Sequence, residues 1–351
     1  MTHVGLAVAL MIQAPTGWIQ APPLPVPVTN NAVAALELAE GPAVFSFLGL
    51  DGSRAWDGLS TKAFRWNLRE DEWAEVESVP GPGRLAATAE VVGDRIFLFG
   101  GYTVAEDGSE NSLPNVDIYE PATDSWSKGA PIPVPVDDAV SGVWRDSLIY
   151  LVSGWHDTGN EVLVQIFDPA ENRWAQGTPI PGPAVFGHAG GISRDAIVYV
   201  NGVRSSSARE RGAGAGRYLL DPTAWRGDID PSDPTRIEWS RIGDHPGPGL
   251  YRAAAGTLGT RVVFVGGTDN PYNFDGIGYD GRPARPVGTA FMYDVVAEVW
   301  SAVPAPRTAT MDHRNLVRVG GWLILVGGML EGQRVTPLVQ RISVIDLISG
   351  G

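Results

Sequence analysis

The hydrophobic pattern of this chain repeats as short apolar runs separated by Gly, Pro and Asp turns. Residues 85–92 are small and mostly apolar, Gly93-Asp94 follows as a two-residue turn, and residues 95–99 form a mostly apolar run. After a longer loop, residues 116–119 and 125–127 add two further short runs. Such short runs between turn residues predict strands, and Gly-Asp links predict hairpins. This segment therefore predicts one four-stranded antiparallel unit.

The same unit recurs six times, and a tryptophan marks the end of each copy. These tryptophans are spaced 55, 53, 48, 65 and 61 residues apart: Trp18, Trp73, Trp126, Trp174, Trp239 and Trp300. A pair of residues ending in glycine follows the second strand of every copy, and that strand is predicted in the other five at residues 44–48, 148–152, 197–200, 262–265 and 323–326. Repeats of this length indicate a propeller or a solenoid.

The combination of apolar strand, glycine pair, Tyr-(Asp/Glu)-Pro turn and tryptophan resembles the kelch motif over residues 17–346. The resemblance implies an all-β, six-bladed kelch-type propeller in which each blade is a four-stranded antiparallel sheet. The last copy, residues 311–346, has three strands but no terminal tryptophan. We therefore expect Trp18 and the N-terminal strand to complete the sixth blade, so that residues 15–351 form one propeller. The repeat tryptophans, Trp126 among them, are expected to be buried.

Composition narrows the possible functions. The 351 residues carry a formal net charge of −14, which disfavours nucleic acid and anionic membrane surfaces as partners. There is no cysteine, which excludes disulfides, zinc–thiolate sites and a cysteine nucleophile. Copper radical oxidases of the galactose oxidase type share the kelch propeller, but their cross-linked Cys–Tyr cofactor needs a cysteine. We expect no metal and no cofactor.

The N-terminus has the pattern of a secretory signal. Residues 4–12 form an apolar run and Ala14 provides a small residue after it. Against a signal, no Lys or Arg precedes the run, and the first basic residue is Arg54. A signal peptide over residues 1–14 would make the protein periplasmic or secreted. The alternative is a disordered tail, which leaves the protein in the cytoplasm. No stretch reaches the roughly 18 to 20 apolar residues of a membrane-spanning helix.

Alternating strand direction places the first-strand entrances and the second-to-third loops on one face of the propeller, here called the mouth. The second-to-third loops vary from 6 to 19 residues, and loops on a rigid scaffold are where function concentrates. Charged groups of both signs converge there, and such groups can bind a polar ligand and transfer protons. Candidate catalytic residues are Asp137, Asp312, His313 and Arg209. Candidate ligand-binding residues are Arg84, Asp138, Trp155, His156, Tyr251, Arg252, Tyr272, Asp275 and Arg314.

Arginine is the expected anchor for a ligand carboxylate, because its charge-assisted hydrogen bonds are strong and directional. On this interpretation, replacing Arg252 or Arg314 by Ala weakens ligand binding and barely changes the melting temperature. The alternative is that the mouth charges only pair with one another.

The loop over residues 268–286 is the longest, and it mixes aromatic residues such as Tyr272 and Tyr279 with Asp269, Asp275 and Asp280. That mixture is expected where a sugar stacks on aromatic rings and bonds to carboxylates. The alternative is a self-packed loop that covers the mouth. Residues 276–281 match G-x-G-x-x-G, but no βαβ unit surrounds them, so a dinucleotide site is excluded. EF-hand spacing is also absent.

Among bacterial kelch proteins, the chain is most similar to N-acetylneuraminate epimerases, which are sialic-acid mutarotases. The similarity is clearest in residues 73–101 and in Tyr199-Val-Asn-Gly202. That family continues Asn-Gly with Glu and places Arg eight residues after the Asn; here Arg209 matches, but Val203 replaces the Glu. Two classes stay open. One is a module that binds a small-molecule or oligosaccharide ligand, or a protein; the other is a mutarotase, epimerase or lyase acting on a carbohydrate.

Overall fold

Six four-stranded antiparallel sheets make up the protein in a computed structural model, which describes residues 17–349. Each sheet is one blade, and within a blade every strand except the N-terminal one pairs with the strands that precede and follow it in that blade. The predicted all-β, six-bladed fold is confirmed. The expected signal segment, residues 1–14, lies outside the described residues.

The first strand of each blade lines the central channel and the fourth lies at the periphery. The strands, from first to fourth, are Ala32–Leu38, Gly41–Phe47, Ala63–Asn67 and Glu72–Val76 in blade 1; Thr88–Val92, Arg95–Phe99, Val116–Glu120 and Ser125–Lys128 in blade 2; Val140–Trp144, Leu148–Val152, Val164–Asp168 and Arg173–Gly177 in blade 3; Ala189–Ser193, Ala196–Val200, Ala224–Asp230 and Asp233–Ile242 in blade 4; Ala254–Leu258, Arg261–Val265, Ala290–Asp294 and Val299–Ala302 in blade 5; and Val317–Val319, Trp322–Val326, Val339–Ser343 and Ile19–Ala21 in blade 6.

The N-terminal strand closes the ring, as predicted. Ile19–Ala21 pairs antiparallel with the third strand of blade 6, with Ile19 opposite Arg341 and Ala21 opposite Val339. Trp18 packs in the core shared with blade 5, at 5% exposure. The last strand of the propeller therefore comes from the beginning of the described chain, and the blade is completed without an unpaired third strand.

The repeat tryptophans join successive blades by one recurring hydrogen bond. Each indole N–H donates to the backbone carbonyl that lies four residues after the tryptophan of the preceding blade: Trp18 to Pro304 (2.6 Å), Trp73 to Pro22 (2.9 Å), Trp126 to Glu77 (2.9 Å), Trp174 to Ala130 (2.9 Å), Trp239 to Thr178 (3.1 Å) and Trp300 to Gly243 (2.7 Å). The expectation that Trp126 is buried is wrong. It is only half-buried, because it lies on the fourth strand of its blade, at the periphery of the propeller.

The variable loops of the mouth carry small secondary structures that the sequence interpretation treated as loops. Four of them are short hairpins: Tyr102–Val104 with Glu110–Ser112, Trp155–His156 with Gly159–Asn160, Val203–Ser205 with Tyr218–Leu220, and Met329–Leu330 with Arg334–Val335. The helical elements are Trp56–Gly58 (3-10), Ala208–Gly212 and Val344–Ser349. Within residues 17–349, no helix is long and apolar enough to cross a membrane.

Candidate functional site

Six residues, one from each blade, form a ring at the point where the chain enters each first strand. All six adopt a left-handed backbone conformation, with φ between 51° and 71°; they are Asn30, Ala86, Asp138, Gly187, Arg252 and Asp312. We call them the entrance ring. Backbone N–H groups link neighbours around it: Asn30 donates to Asp312 (3.0 Å), Asp138 to Ala86 (3.2 Å), Gly187 to Asp138 (2.9 Å) and Arg252 to Gly187 (2.8 Å). The entrance ring fixes the directions of three charged side chains.

Arg252 lies between two ring carboxylates. Its Nε lies 3.1 Å from Oδ1 of Asp138 and its Nη2 lies 2.6 Å from Oδ2, which is a bidentate pair. Its Nη1 donates to Oδ1 of Asp312 at 3.0 Å. Asp312 also accepts hydrogen bonds from Thr29 Oγ1 (2.7 Å) and from the Tyr272 hydroxyl (2.9 Å). All three charged residues are buried, so these bonds compensate for lost hydration.

Burial and pairing shift the pKa values of two neighbouring carboxyl groups in opposite directions. Burial disfavours charge on Asp138, but the guanidinium groups of Arg252 and Arg314 hold its pKa below the usual value. Burial raises the pKa of Asp137 well above the usual value, and the negative charge of Asp138 raises it further. A carboxyl group that holds its proton more strongly than usual therefore lies next to one that releases it more readily, an arrangement suited to proton donation and acceptance.

A small cavity of about 30 Å³ lies above the entrance ring, at the centre of the mouth. Its floor is polar, with Asp137, Asp138 and Arg252 exposed to it. Ser112 Oγ lies 2.6 Å from Oδ2 of Asp137 and orients that carboxyl group. The volume is close to that of one water molecule, so a sugar ring cannot enter it as it stands. Only a single hydroxyl or carboxylate group of a ligand could reach the floor.

Aromatic rings form the wall of this cavity. Trp155, on the blade 3 hairpin, packs against Phe186 with ring centres 5.3 Å apart, and Phe186 packs on Tyr218 at 5.6 Å. Tyr279, from the long loop of blade 5, lies 4.4 Å from Tyr218 and keeps 42% of its surface exposed. Part of the long loop thus covers the mouth, and Tyr279 stays partly exposed there.

Two tyrosines among the candidate ligand-binding residues pack against the guanidinium group of Arg252. The rings of Tyr251 and Tyr272 lie 4.9 and 5.3 Å from its guanidinium carbon. Both are buried and neither lines the mouth cavity. They stabilise the cation and leave no surface for a ligand.

The structure places Arg84 away from the mouth. Its guanidinium group is fully buried in blade 2, where Nη2 donates to Asp117 (2.6 Å) and Nε donates to the carbonyl of Gly100 (2.8 Å). Arg84 occupies the position two residues before the entrance ring, which is apolar in blades 1, 3, 4 and 5. That position faces the interior of the blade, so Asp117 is the required partner.

His313 and Arg314 also lie elsewhere than expected. His313 is buried with Nε2 2.9 Å from Thr310 Oγ1, and burial together with the charge of Arg314 lowers its pKa to about 3, so it is neutral. Arg314 lies below the entrance ring and lines the central channel, with Nη1 2.5 Å from Oδ1 of Asp138. Neither residue lines the mouth cavity.

Three further candidates are separate from this cluster. Arg209 is exposed on the short helix Ala208–Gly212, and Val203, where the epimerase pattern has Glu, is buried. Asp275 uses Oδ1 to accept the backbone N–H of Ile277 at 2.9 Å, within its own loop. His156 is half-buried on the blade 3 hairpin and does not line the mouth cavity.

Sequence reasoning missed four residues of the mouth cavity as site residues: Tyr102, Glu110, Phe186 and Tyr218. The repeat register could have identified Tyr102, because it directly follows the glycine pair, at the position that Trp155 occupies in blade 3. Among residues 17–349, no group of three or more His, Cys, Asp or Glu side chains is arranged to hold a metal ion.

Comparison with known proteins agrees with this architecture. A family model described as the kelch motif matches residues 83–133. A solved structure titled "Structure of YjhT" has a similar fold, with a TM-score of 0.70 and 16% sequence identity. The similarity covers 90% of this chain and 95% of that chain. At that identity the likeness shows the fold alone.

Curated relatives match parts of the chain. The Kelch-like protein terF of Aspergillus terreus is 26% identical over 152 residues, 42% of this chain and 32% of that protein. Beta-scruin of Limulus polyphemus is 31% identical over 96 residues, 27% of this chain and 10% of that protein. N-acetylneuraminate epimerase of Escherichia coli (strain K12) is 29% identical over 107 residues, 30% of this chain and 26% of that protein. The matches thus span at most about a third of these relatives. The chain is a six-bladed propeller with a kelch motif at residues 83–133, and part of it resembles the N-acetylneuraminate epimerases.

Proposed function

We propose that this protein binds a carbohydrate at the mouth of the propeller. One observation carries the proposal: Asp137 and the Asp138–Arg252 ion pair form the floor of the mouth cavity, and its aromatic wall includes Tyr279, which is 42% exposed. Sugars present apolar ring faces and polar hydroxyl edges. Tyr279 offers a stacking surface for the face, and the cavity floor offers a donor and an acceptor for the edge.

The small volume of the mouth cavity favours binding over turnover. Sites for small molecules commonly enclose several hundred Å³, whereas this cavity measures about 30 Å³. A sugar therefore rests on top of the mouth with one polar group inserted. Water keeps access to the other side of such a ligand, so the water-excluding environment that assists catalysis is missing.

Binding can be tested by isothermal titration calorimetry with a panel of mono- and oligosaccharides that includes N-acetylneuraminate. Tyr279→Ala removes the stacking face and is expected to weaken binding about tenfold. Asp137→Asn keeps the shape and removes the acidic proton, and a smaller loss is expected. Val296→Ala, at an exposed residue of a blade 5 turn, is the control and should change nothing. Wild-type affinity in both mouth variants would refute the site.

A second candidate function is the interconversion of sugar anomers. The acid–base pair Asp137–Asp138 favours it, because ring opening needs one group to donate a proton and another to accept one. One curated relative is named N-acetylneuraminate epimerase. The test is NMR of freshly dissolved N-acetylneuraminate. Faster anomer exchange that Asp137→Asn abolishes would support this candidate, and the spontaneous rate with the wild-type protein would exclude it for that sugar.

A further inference from the structure

Acidic residues outnumber basic residues around the mouth cavity. Glu110, Asp137 and Asp138 line it. The basic residue that lines it is Arg252, and all three nitrogens of its guanidinium group already bond to Asp138 or Asp312. Arg252 is therefore engaged within the protein and is not available to anchor the carboxylate of a ligand.

One carboxyl oxygen of Asp137 is open to this cavity. Oδ2 accepts the hydrogen bond from Ser112 Oγ, whereas Oδ1 has no hydrogen-bond partner within residues 17–349. Asp137 is only 3% exposed, but Oδ1 keeps accessible surface, and Asp137 lines the cavity. A nearly buried acceptor without a donor favours an occupant that donates a hydrogen bond to it.

Glu110 adds a second carboxyl group to the same cavity. It begins the strand Glu110–Ser112 of the blade 2 hairpin, two residues before the serine that bonds to Asp137. Its side chain is exposed, and in the described part of the chain it takes part in no hydrogen bond or ion pair. The cavity therefore has acceptors on its floor and at its rim that no cation of the protein neutralises.

The size and the walls of the cavity suit a small organic cation. Its volume of about 30 Å³ is the space of one water molecule, and a primary ammonium group is as small as the hydroxyl group that fits there. Aromatic rings attract cations, and aromatic cages hold organic ammonium groups in other proteins. Five of the nine lining residues are aromatic: Tyr102, Trp155, Phe186, Tyr218 and Tyr279.

We propose that the group inserted into the mouth cavity is a primary ammonium group, so that the ligand is an amino sugar. This inference rests on the proposed carbohydrate site and makes its ligand more specific. The ammonium group donates to Oδ1 of Asp137 and to the Glu110 carboxylate, while the sugar ring stays outside, against Tyr279. A neutral sugar offers these acceptors only a hydroxyl group, and an acidic sugar brings a like charge to them.

The surroundings of Asp137 agree with a cationic ligand. Burial raises the pKa of Asp137, the charge of Asp138 raises it further, and Arg252 opposes this only weakly. A cation bound at Oδ1 stabilises the ionised carboxylate, which a neutral hydroxyl group does much less. The bound ammonium group thus compensates for a charge that the protein leaves without a partner.

The test titrates D-glucosamine into the full chain by calorimetry, with D-glucose and N-acetyl-D-glucosamine as neutral controls. Glucosamine should bind at one saturable site, at least about tenfold more tightly than either control, because charge-assisted hydrogen bonds are the stronger ones. Glu110→Gln keeps the shape and removes the charge, so it should weaken glucosamine about fivefold and leave glucose unchanged. Glu106→Gln, at an exposed residue of the same hairpin that does not line the cavity, is the matched control.

The outcomes separate this inference from the carbohydrate site on which it rests. Equal affinity for glucosamine and glucose, with both weakened by Tyr279→Ala, would overturn the ammonium group and leave the carbohydrate site standing. Wild-type affinity for glucosamine in both Glu110→Gln and Asp137→Asn would also overturn it. Nα-acetyl-lysine amide carries the same ammonium group without a sugar ring, and binding as tight as that of glucosamine would exclude an amino sugar as the ligand class. Saturable binding of none of the sugars would refute the carbohydrate site and this inference together.

Discussion

At Arg252, the backbone conformation of the entrance ring determines where a charged side chain lies. Its left-handed backbone turns the side chain across the ring, where one guanidinium group reaches carboxylates from blades 3 and 6. The sequence placed Asp138, Arg252 and Asp312 together correctly. It also led to the expectation that Arg252→Ala would barely change the melting temperature. Burial changes that expectation, because Asp138 and Asp312 would lose their main partner in a water-poor site.

We therefore expect Arg252→Ala to lower the free energy of unfolding by about 3 to 5 kcal/mol, the usual cost of breaking a buried ion pair. Arg285→Ala is the matched control. Arg285 is a mouth-loop arginine that is 78% exposed and 3.8 Å from Glu331, and it should change stability by less than about 0.5 kcal/mol. Urea unfolding measures both variants. Equal stabilities would show that the entrance-ring charges are hydrated rather than buried.

At the scale of strands and loops, the sequence predicted the strands of each blade, because they follow a periodic pattern. It missed the entrance ring, because that depends on backbone conformation. Apolar strands, each second one followed by a residue pair that ends in glycine, recur in all six blades, because each blade needs the same packing. At Gly101 a side chain would place a Cβ atom 2.5 Å from the carbonyl oxygen of Leu85. The entrance ring has no such signature: Asn30, Ala86 and Gly187 share φ near 55° with charged residues but share no chemistry. The mouth hairpins were missed because each differs in length and composition.

The tryptophan at the end of each blade stabilises the folded protein through packing and through one hydrogen bond. Trp126→Phe keeps most of the ring contacts with Phe47 and Tyr119 but loses the bond to the Glu77 carbonyl, so about 1 kcal/mol should be lost. Trp126→Ala loses both, and because Trp126 is half-buried we expect about 2 to 3 kcal/mol. Trp56→Ala, at an exposed tryptophan, is the control. Thermal unfolding of the three variants gives the order, and a Trp126→Ala variant as stable as the control would contradict it.

At the scale of the whole molecule, two sets of contacts run around the propeller at different radii. The entrance ring links blades near the axis, and the tryptophan hydrogen bonds link them at the periphery. Both sets include the junction between blades 6 and 1, through Asn30 to Asp312 and through Trp73 to Pro22. The mouth and the channel lie on opposite sides of the inner set. The shapes of the mouth and of the channel therefore depend on closure of the ring by the N-terminal strand.

Deleting residues 1–26 removes that strand together with Trp18 and Leu24, which are both buried. The loss of two large apolar side chains and of a strand pairing should lower the free energy of unfolding by about 5 kcal/mol or more. A synthetic peptide of residues 17–28 should restore part of the melting temperature by binding the open edge of blade 6, since a ligand stabilises the state it binds. A scrambled peptide should restore none. A truncated chain that melts at the wild-type temperature would mean that the ring is held by the entrance ring alone, and that Ile19–Ala21 is dispensable.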